Sequence, residues 1–126
     1  MIIITGVSGG IGSELVYHLK KFDKVIGIYN KVKPKKKISN VEFIKCDITN
    51  KKQLQNLEKK IKFDKFITFL SLAGTKNDNL LINQNFNQID QTINVNIRSN
   101  IFLTKLIINK MIFSKWGRII FFSSTG

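Results

Sequence analysis

Apolar residues in this chain come in short unbroken runs, separated by stretches where they recur every three or four positions. The first run, Ile2-Ile3-Ile4-Thr5, is β-branched and closed by Gly6, which predicts a buried strand. From there Ile11, Leu15, Val16, Leu19 and Phe22 fall at helical spacing and predict a helix over 11–22. Val25-Ile26-Gly27-Ile28-Tyr29 reads as a second strand, followed by the basic turn NKVKPKKK with its proline. Val41-Glu42-Phe43-Ile44 is bounded like a third strand. Residues 50–61, with Leu54, Leu57 and Ile61 apolar, predict an amphipathic helix that Thr49 or Asn50 is placed to cap. A fourth strand covers Phe66 to Leu70 and runs out at Ala73-Gly74. Residues 75–85 are polar and rich in asparagine, as in a loop or short helix. A long helix over roughly 86–113 and a strand at Arg118-Ile119-Ile120-Phe121-Phe122 complete the pattern.

Strands alternating with helices imply an α/β fold with a parallel sheet and right-handed crossovers. In such sheets ligands bind at the carboxyl ends of the strands, near the point where strand order reverses. TGVSGGIG, SLAG and SSTG each follow a predicted strand and stand at those ends. At 126 residues the chain fits a single domain, 1–126, shorter than a complete two-halved dinucleotide-binding fold.

Composition narrows the setting. With 43% hydrophobic residues the chain is a folding one rather than a disordered one. The single cysteine, Cys46, has no internal disulfide partner, which fits a reducing compartment. MIII runs directly into TGVSGG without the basic start and cleavage site of a signal peptide, and no apolar run approaches the ~20 residues of a membrane span. A cytoplasmic protein without a membrane partner is expected. Net charge is +13, which attracts phosphates of any kind. Lysine is spread along the whole chain, however, and no nucleic-acid-reading motif appears, so a lysine-rich surface is expected and a nucleic-acid partner is not.

The turn Thr5-Gly6-Val7-Ser8-Gly9-Gly10-Ile11-Gly12 lies between the first strand and the first helix. Glycines there permit positive φ and leave no Cβ in the way of a pyrophosphate, and the helix amino terminus then faces the phosphates. Gly12 falls where helix and strand pack closely, and the Ser8 hydroxyl can reach a phosphate. This context predicts a Rossmann-like, doubly wound sheet of about five strands in the order 3-2-1-4-5.

The spacing T-G-x-x-x-G-x-G resembles that of the short-chain dehydrogenase/reductase family. Further positions carry the resemblance. Asp47, followed by Ile48, stands where the family has an acidic residue contacting the adenine ring, and Ser71-Leu72-Ala73-Gly74 is similar to its Asn-Asn-Ala-Gly. Ala73 and Gly74 match that motif, while Ser71 and Leu72 replace both asparagines. Asn96 resembles the active-site asparagine, in preference to the nearby Asn94, and Ser124 resembles the catalytic serine, in preference to Ser123. The resemblance implies hydride transfer between a nicotinamide cofactor and a small-molecule carbonyl or alcohol. The serine would bind the carbonyl oxygen, and the asparagine would help hold a water in the proton relay. It also implies association with a second copy through the 86–113 helix in the full-length protein.

Cofactor choice is read at the end of the second strand. Asn30-Lys31 carries no carboxylate there, and Lys33, Lys35, Lys36 and Lys37 follow, which favours the 2′-phosphate of NADP, with NAD as the alternative. In the resembled family a tyrosine donates the proton and a lysine four residues later assists it. That pair is expected about a dozen residues after Ser124, followed by a sixth and a seventh strand, and the sequence given stops at Gly126. Tyr17 and Lys21 match Tyr-x-x-x-Lys only as a pattern, since they lie along the first helix, away from the nicotinamide. The expectation is therefore the amino-terminal portion of a longer dehydrogenase, inactive by itself. The alternative is a non-catalytic nucleotide-binding module or a decayed gene fragment. His18 and Cys46 have no partners in sequence for a triad or metal site.

Overall fold

A computed structural model of the chain describes every residue except Lys36, Thr125 and Gly126, so the Lys36 member of the basic run and the last two residues of SSTG lie outside the described residues. The strands β1 (Ile2–Thr5), β2 (Val25–Tyr29), β3 (Val41–Lys45), β4 (Thr68–Ser71) and β5 (Arg118–Phe121) form one sheet in the order β3-β2-β1-β4-β5. Every neighbouring pair is parallel. The register sets Thr5 beside Ile28 and Ser71, and Ser71 beside Phe121, so the carboxyl ends of these strands form a common edge.

The unbroken apolar runs have a simple cause: both faces of the sheet are covered. On one face Ile3, Ile26, Ile28 and Phe69 pack against Leu54 and Leu57 of α2 (Lys51–Lys60) and against Leu103, Ile107 and Met111 of α4 (Ser99–Ser114). On the other, Ile2, Ile4, Val25 and Leu70 pack with Val7 and with Val16 of α1 (Gly10–Leu19). This is the doubly wound arrangement expected from the strand–helix alternation.

Helix α1 stops at Leu19, short of the predicted Phe22, which is 81% exposed. The chain must turn back to begin β2 at Val25, and the N–H groups of Phe22 and Asp23 both return to the Leu19 carbonyl. The turn also brings Asp23 to the start of β1, where the Met1 ammonium donates to its carboxylate and to the Phe66 carbonyl at 3.0 Å. The ammonium holds the Asp23 carboxyl below its ordinary value of 3.8, against the opposing effect of partial burial. A depressed folded value adds stability above the unfolded value and loses it as pH falls through the folded one. Asp23→Asn is therefore expected to lower stability at pH 7 by at most about 1 kcal/mol, the pair being half exposed. The difference from the parent should shrink below about pH 4. Denaturant titrations at pH 7 and pH 3 measure it.

The predicted helix over 86–113 is three pieces on one path: α3 (Phe86–Ile93), a π turn over Asn94–Arg98, and α4. The sequence Thr92-Ile93-Asn94-Val95-Asn96-Ile97 alternates β-branched residues and asparagines, which hold an α-helix weakly. Leu103, Ile107 and Met111 are buried against the sheet. Apolar residues of this region that are exposed include Ile97, Ile101, Ile112 and Phe113. The fourth strand begins at Thr68, two residues later than expected, because the preceding Phe66 turns out to pack edge-on against Trp116 at 5.4 Å. The backbone N–H of Trp116 in turn donates to the Met111 carbonyl and closes α4. No helix among the described residues is long and apolar enough to cross a membrane.

Candidate functional site

At the common carboxyl edge of β1, β2 and β4 the chain forms an open cleft of about 410 Å³. It is lined by Thr5, Gly6, Ser8 and Gly9 from the glycine turn, Asn30 and Lys31 from the end of β2, Asp47 and Ile48 after β3, and Ala73 and Gly74 after β4. Residues from four separate stretches of sequence therefore meet at the strand-order switch between β1 and β4. A larger hollow of about 1110 Å³ lies at the opposite edge, between the Glu58–Lys65 stretch and the end of α4. No helix amino terminus or glycine turn faces it, so chemistry rather than size identifies the site.

The glycines have separate jobs. Gly6 has φ +73, and a Cβ there would stand 2.8 Å from the Ala73 nitrogen. A Cβ on Gly12 would stand 2.3 Å from the Gly6 carbonyl oxygen, so this glycine lets α1 lie against the turn. A Cβ on Gly10, by contrast, would meet nothing within 4 Å, so this position opens to solvent. Gly9 occupies the N-cap of α1, where no side chain caps the helix and no acidic residue sits in its first turn. The contrast within the chain is informative. Asn50 caps α2 by accepting from the Gln53 N–H, and Asn85 with Gln88 closes a capping box on α3. The α1 terminus alone among these three is left with its amides uncapped, and it is the one that opens on the cleft. Ile11, in the first turn of α1, is 67% exposed.

The Ser8 hydroxyl donates to the Val32 carbonyl at 2.5 Å and ties the turn to the segment after β2. Asp47 Oδ1 accepts from both the N–H and the hydroxyl of Thr49, at 2.9 and 2.7 Å, which fixes the carboxylate at the rim of the cleft. Ile48 is buried in the core, so what it offers the cleft is backbone. Among the described residues Asp47 is the only carboxylate lining the cleft; Lys31 stands exposed beside Asn30, and Lys33 and Lys35 border a neighbouring hollow with Tyr17.

Asn96 sits within the π turn, and its amide clasps the backbone of Thr75 on both sides. Its Oδ1 accepts from the Thr75 N–H at 2.9 Å, and its Nδ2 donates to the Thr75 carbonyl at 2.7 Å. π turns arise where an extra residue is accommodated in a helix, often at functional sites. Ser124 lies three residues past the end of β5, exposed, on the same edge of the sheet as Asn96 and Gly74. Gly10, Ile11, Gly12, Asn96 and Ser124 are not part of the cleft lining, whereas Tyr29, Cys46, Thr75, Gln91 and Val95 are. The last three are side-chain positions that the order of strands and turns did not single out; their signal was only their neighbourhood to Gly74 and Asn96.

Burial pushes the Cys46 thiol up to about 11, with the Asp47 carboxylate adding to the effect, so it is no nucleophile at neutral pH. His18 lies 3.9 Å from Glu14 on the exposed face of α1. The Tyr17 ring lies under the Lys20 ammonium, 4.8 Å from its centroid, on that same helix.

The family model described as short chain dehydrogenase matches residues 1–126. The 3-oxoacyl-[acyl-carrier-protein] reductase FabG of Rickettsia typhi is 33% identical over 128 residues, covering 97% of this chain and 52% of its own length. The chain thus spans about half the length of the curated relatives it matches. Among solved structures, a short chain dehydrogenase from Leptospira borgpetersenii with bound NAD+ is 26% identical, with a TM-score of 0.81, covering 98% of this chain and 50% of its own. ElxO with NADP bound is 25% identical, with a TM-score of 0.81, over 98% of this chain and 54% of its own.

Proposed function

The chain belongs to the short-chain dehydrogenase family, and from that premise we propose that its cleft binds a nicotinamide dinucleotide, NADP in preference to NAD. The observation that carries this reading is the uncapped, acid-free amino terminus of α1 opening on a cleft whose turn admits no side chain at Gly6 or Gly12. Backbone amides from Gly9 onward, with the positive end of the helix, would hold the diphosphate. Thr5 and Ser8 shape the turn around it. Asp47 and the Ile48 backbone would hold the adenine end, Ala73 and Gly74 the wall behind the ribose, and Asn30 and Lys31 the 2′-phosphate. The exposed Ile11 side chain offers an apolar surface to the nicotinamide side.

The activity proposed for the whole protein is oxidoreduction, a hydride passing between the nicotinamide and a carbonyl or alcohol carbon of a small-molecule substrate. The naming of the relatives as 3-oxoacyl-[acyl-carrier-protein] reductases favours a 3-oxo carbonyl within that class. Ser124 would donate a hydrogen bond to the carbonyl oxygen, and the clasped Asn96 would hold its turn as part of the proton relay. The residues given contain no Tyr-x-x-x-Lys after Ser124, so this 126-residue polypeptide is proposed to bind cofactor without turning over. The bare face of Ile101, Ile112 and Phe113 supports association with a second copy in the whole protein, and the reduced, buried Cys46 supports a cytoplasmic setting.

A ligand that binds only the folded state raises its melting temperature. At NADPH concentrations near a hundred times Kd the gain is about 2.7 kcal/mol, worth roughly 10 °C for a chain of this size. Differential scanning fluorimetry with NADPH and NADH reads it. A flat response to both ends the cofactor assignment.

A further inference from the structure

We propose that Asn100 is a positioning residue: it couples the ends of β1 and β4 to the Asn96 turn and so holds the Gly74–Thr75 wall of the cleft in place. The inference rests on the cofactor reading only for what that wall touches; the coupling itself stands on hydrogen bonds within the chain.

The bonds run in one direction. Thr5 Oγ1 accepts from the Ala73 N–H at 3.1 Å, which leaves its own proton for Ser71 Oγ at 3.4 Å. The Ser71 hydroxyl then donates to Asn100 Oδ1. Asn100 Nδ2 donates in turn to the Asn96 carbonyl at 2.8 Å, inside the π turn. Asn96 returns the connection to the strand end by clasping Thr75. The circuit closes around Leu72, Ala73 and Gly74, and a Cβ on Gly74 would already stand 3.3 Å from Asn96 Oδ1.

The Asn100 amide bridges strand and helix with one side chain, because its acceptor and its donor are separate atoms: Oδ1 accepts from Ser71 while Nδ2 donates to the Asn96 carbonyl. The neighbouring Ser99 makes the same bond to the carbonyl four residues back, donating to Val95 at 2.5 Å, but with a single side-chain heteroatom. Ser71 is buried and Thr5 fully so, and polar groups in such places are stabilised by being linked and penalised when a link is lost. Ser71 also occupies the first asparagine position of the resembled Asn-Asn-Ala-Gly, so the amide stands on the helix here rather than on the strand.

Amide hydrogen exchange on the apo chain tests the coupling, with Thr75 as the reporter because its N–H is bonded to Asn96. Asn100→Ser should speed Thr75 exchange about tenfold, the equivalent of one net side-chain hydrogen bond, while Ile3 and Ile26 in the central strands stay unchanged. Asn100→Asp keeps the shape and the acceptor for Ser71 but cannot donate to the Asn96 carbonyl, so it should act in the same direction. The exchange of partners, Ser71→Asn with Asn100→Ser, conserves the atoms of the pair and should bring Thr75 back to within about threefold of the parent. A purely structural role predicts uniform loss of protection across the sheet and no rescue. Unchanged Thr75 exchange in both single variants overturns the proposal, as does a swapped variant no better than Asn100→Ser. NADPH titration of the same proteins separates the two readings: a parent chain that binds no NADPH, while Thr75 responds as described, overturns the cofactor assignment and supports the coupling.

Discussion

Gly9→Asp is expected to abolish nucleotide binding in a chain that stays as stable as its parent. Gly9 has φ −80 and ψ 167, extended backbone that any residue adopts, and its nearest contact for a Cβ is an ordinary 3.5 Å from the Gly6 oxygen. Aspartate at an N-cap accepts from the first-turn amides and complements the helix dipole, adding a few tenths of a kcal/mol to folding relative to glycine. The same carboxylate consumes the amides that a diphosphate needs and places a negative charge against it. Juxtaposed like charges cost several kcal/mol, so NADPH affinity should fall by about a hundredfold or more. Gly12→Ala is the opposite case. Its Cβ would stand 2.3 Å from a backbone oxygen, which does not yield as a flexible side chain does, and roughly 3 kcal/mol of stability should go with it. Equilibrium denaturation alongside NADPH titration separates the two. If Gly9→Asp bound NADPH as the parent does, the helix terminus would not be the phosphate site.

The difference between these glycines shows what the sequence could and could not disclose. The turn spacing, its place between a β-branched run and a helical period, and the carboxyl-edge location of SLAG were all legible, because each is a local pattern with one physical reading. So was the strand order, since a doubly wound sheet leaves few alternatives once alternation is recognised. The packing role of Gly12 was legible as well, whereas the close approach of Gly6 to Ala73 was not, because it depends on a distance that only folding creates. The π turn was hidden for a related reason. Its cause is partly local, in a run of β-branched residues and asparagines, and partly the clasp between Asn96 and Thr75, which are 21 positions apart. The Ser71–Asn100 bond spans 29 positions and joins two residues that carry no periodic signal. Phe22 shows the remaining weakness: helical spacing marks a position as apolar without saying whether the sheet or the solvent receives it.

Lys31→Glu is expected to reverse the preference between NADPH and NADH. Lys31 lines the cleft beside Asn30, where the second strand ends, while Lys33 and Lys35 face the adjoining hollow. A 2′-phosphate carries about 1.5 to 2 negative charges at neutral pH. The parent gains a charge-assisted contact there, and the variant replaces it with repulsion; the swing is about 2–3 kcal/mol for an exposed pair, or roughly a hundredfold weaker NADPH binding. For NADH the sign differs, since a carboxylate at this strand end accepts from the ribose 2′-hydroxyl, and affinity should hold or rise a few-fold. The mean field of a chain with net charge +13 is a competing explanation, because any lysine replaced by glutamate weakens it equally. Lys35→Glu makes the same change in net charge away from the cleft lining and so isolates that contribution; it should weaken both cofactors slightly, NADPH somewhat more for its extra charge, and leave the preference for NADPH in place. Raising the salt to about 1 M, where the Debye length is about 3 Å, should compress the NADPH preference of the parent without removing it, because a direct contact survives screening that erases a field. Equal losses in Lys31→Glu and Lys35→Glu would assign the preference to the field and take Lys31 out of the site.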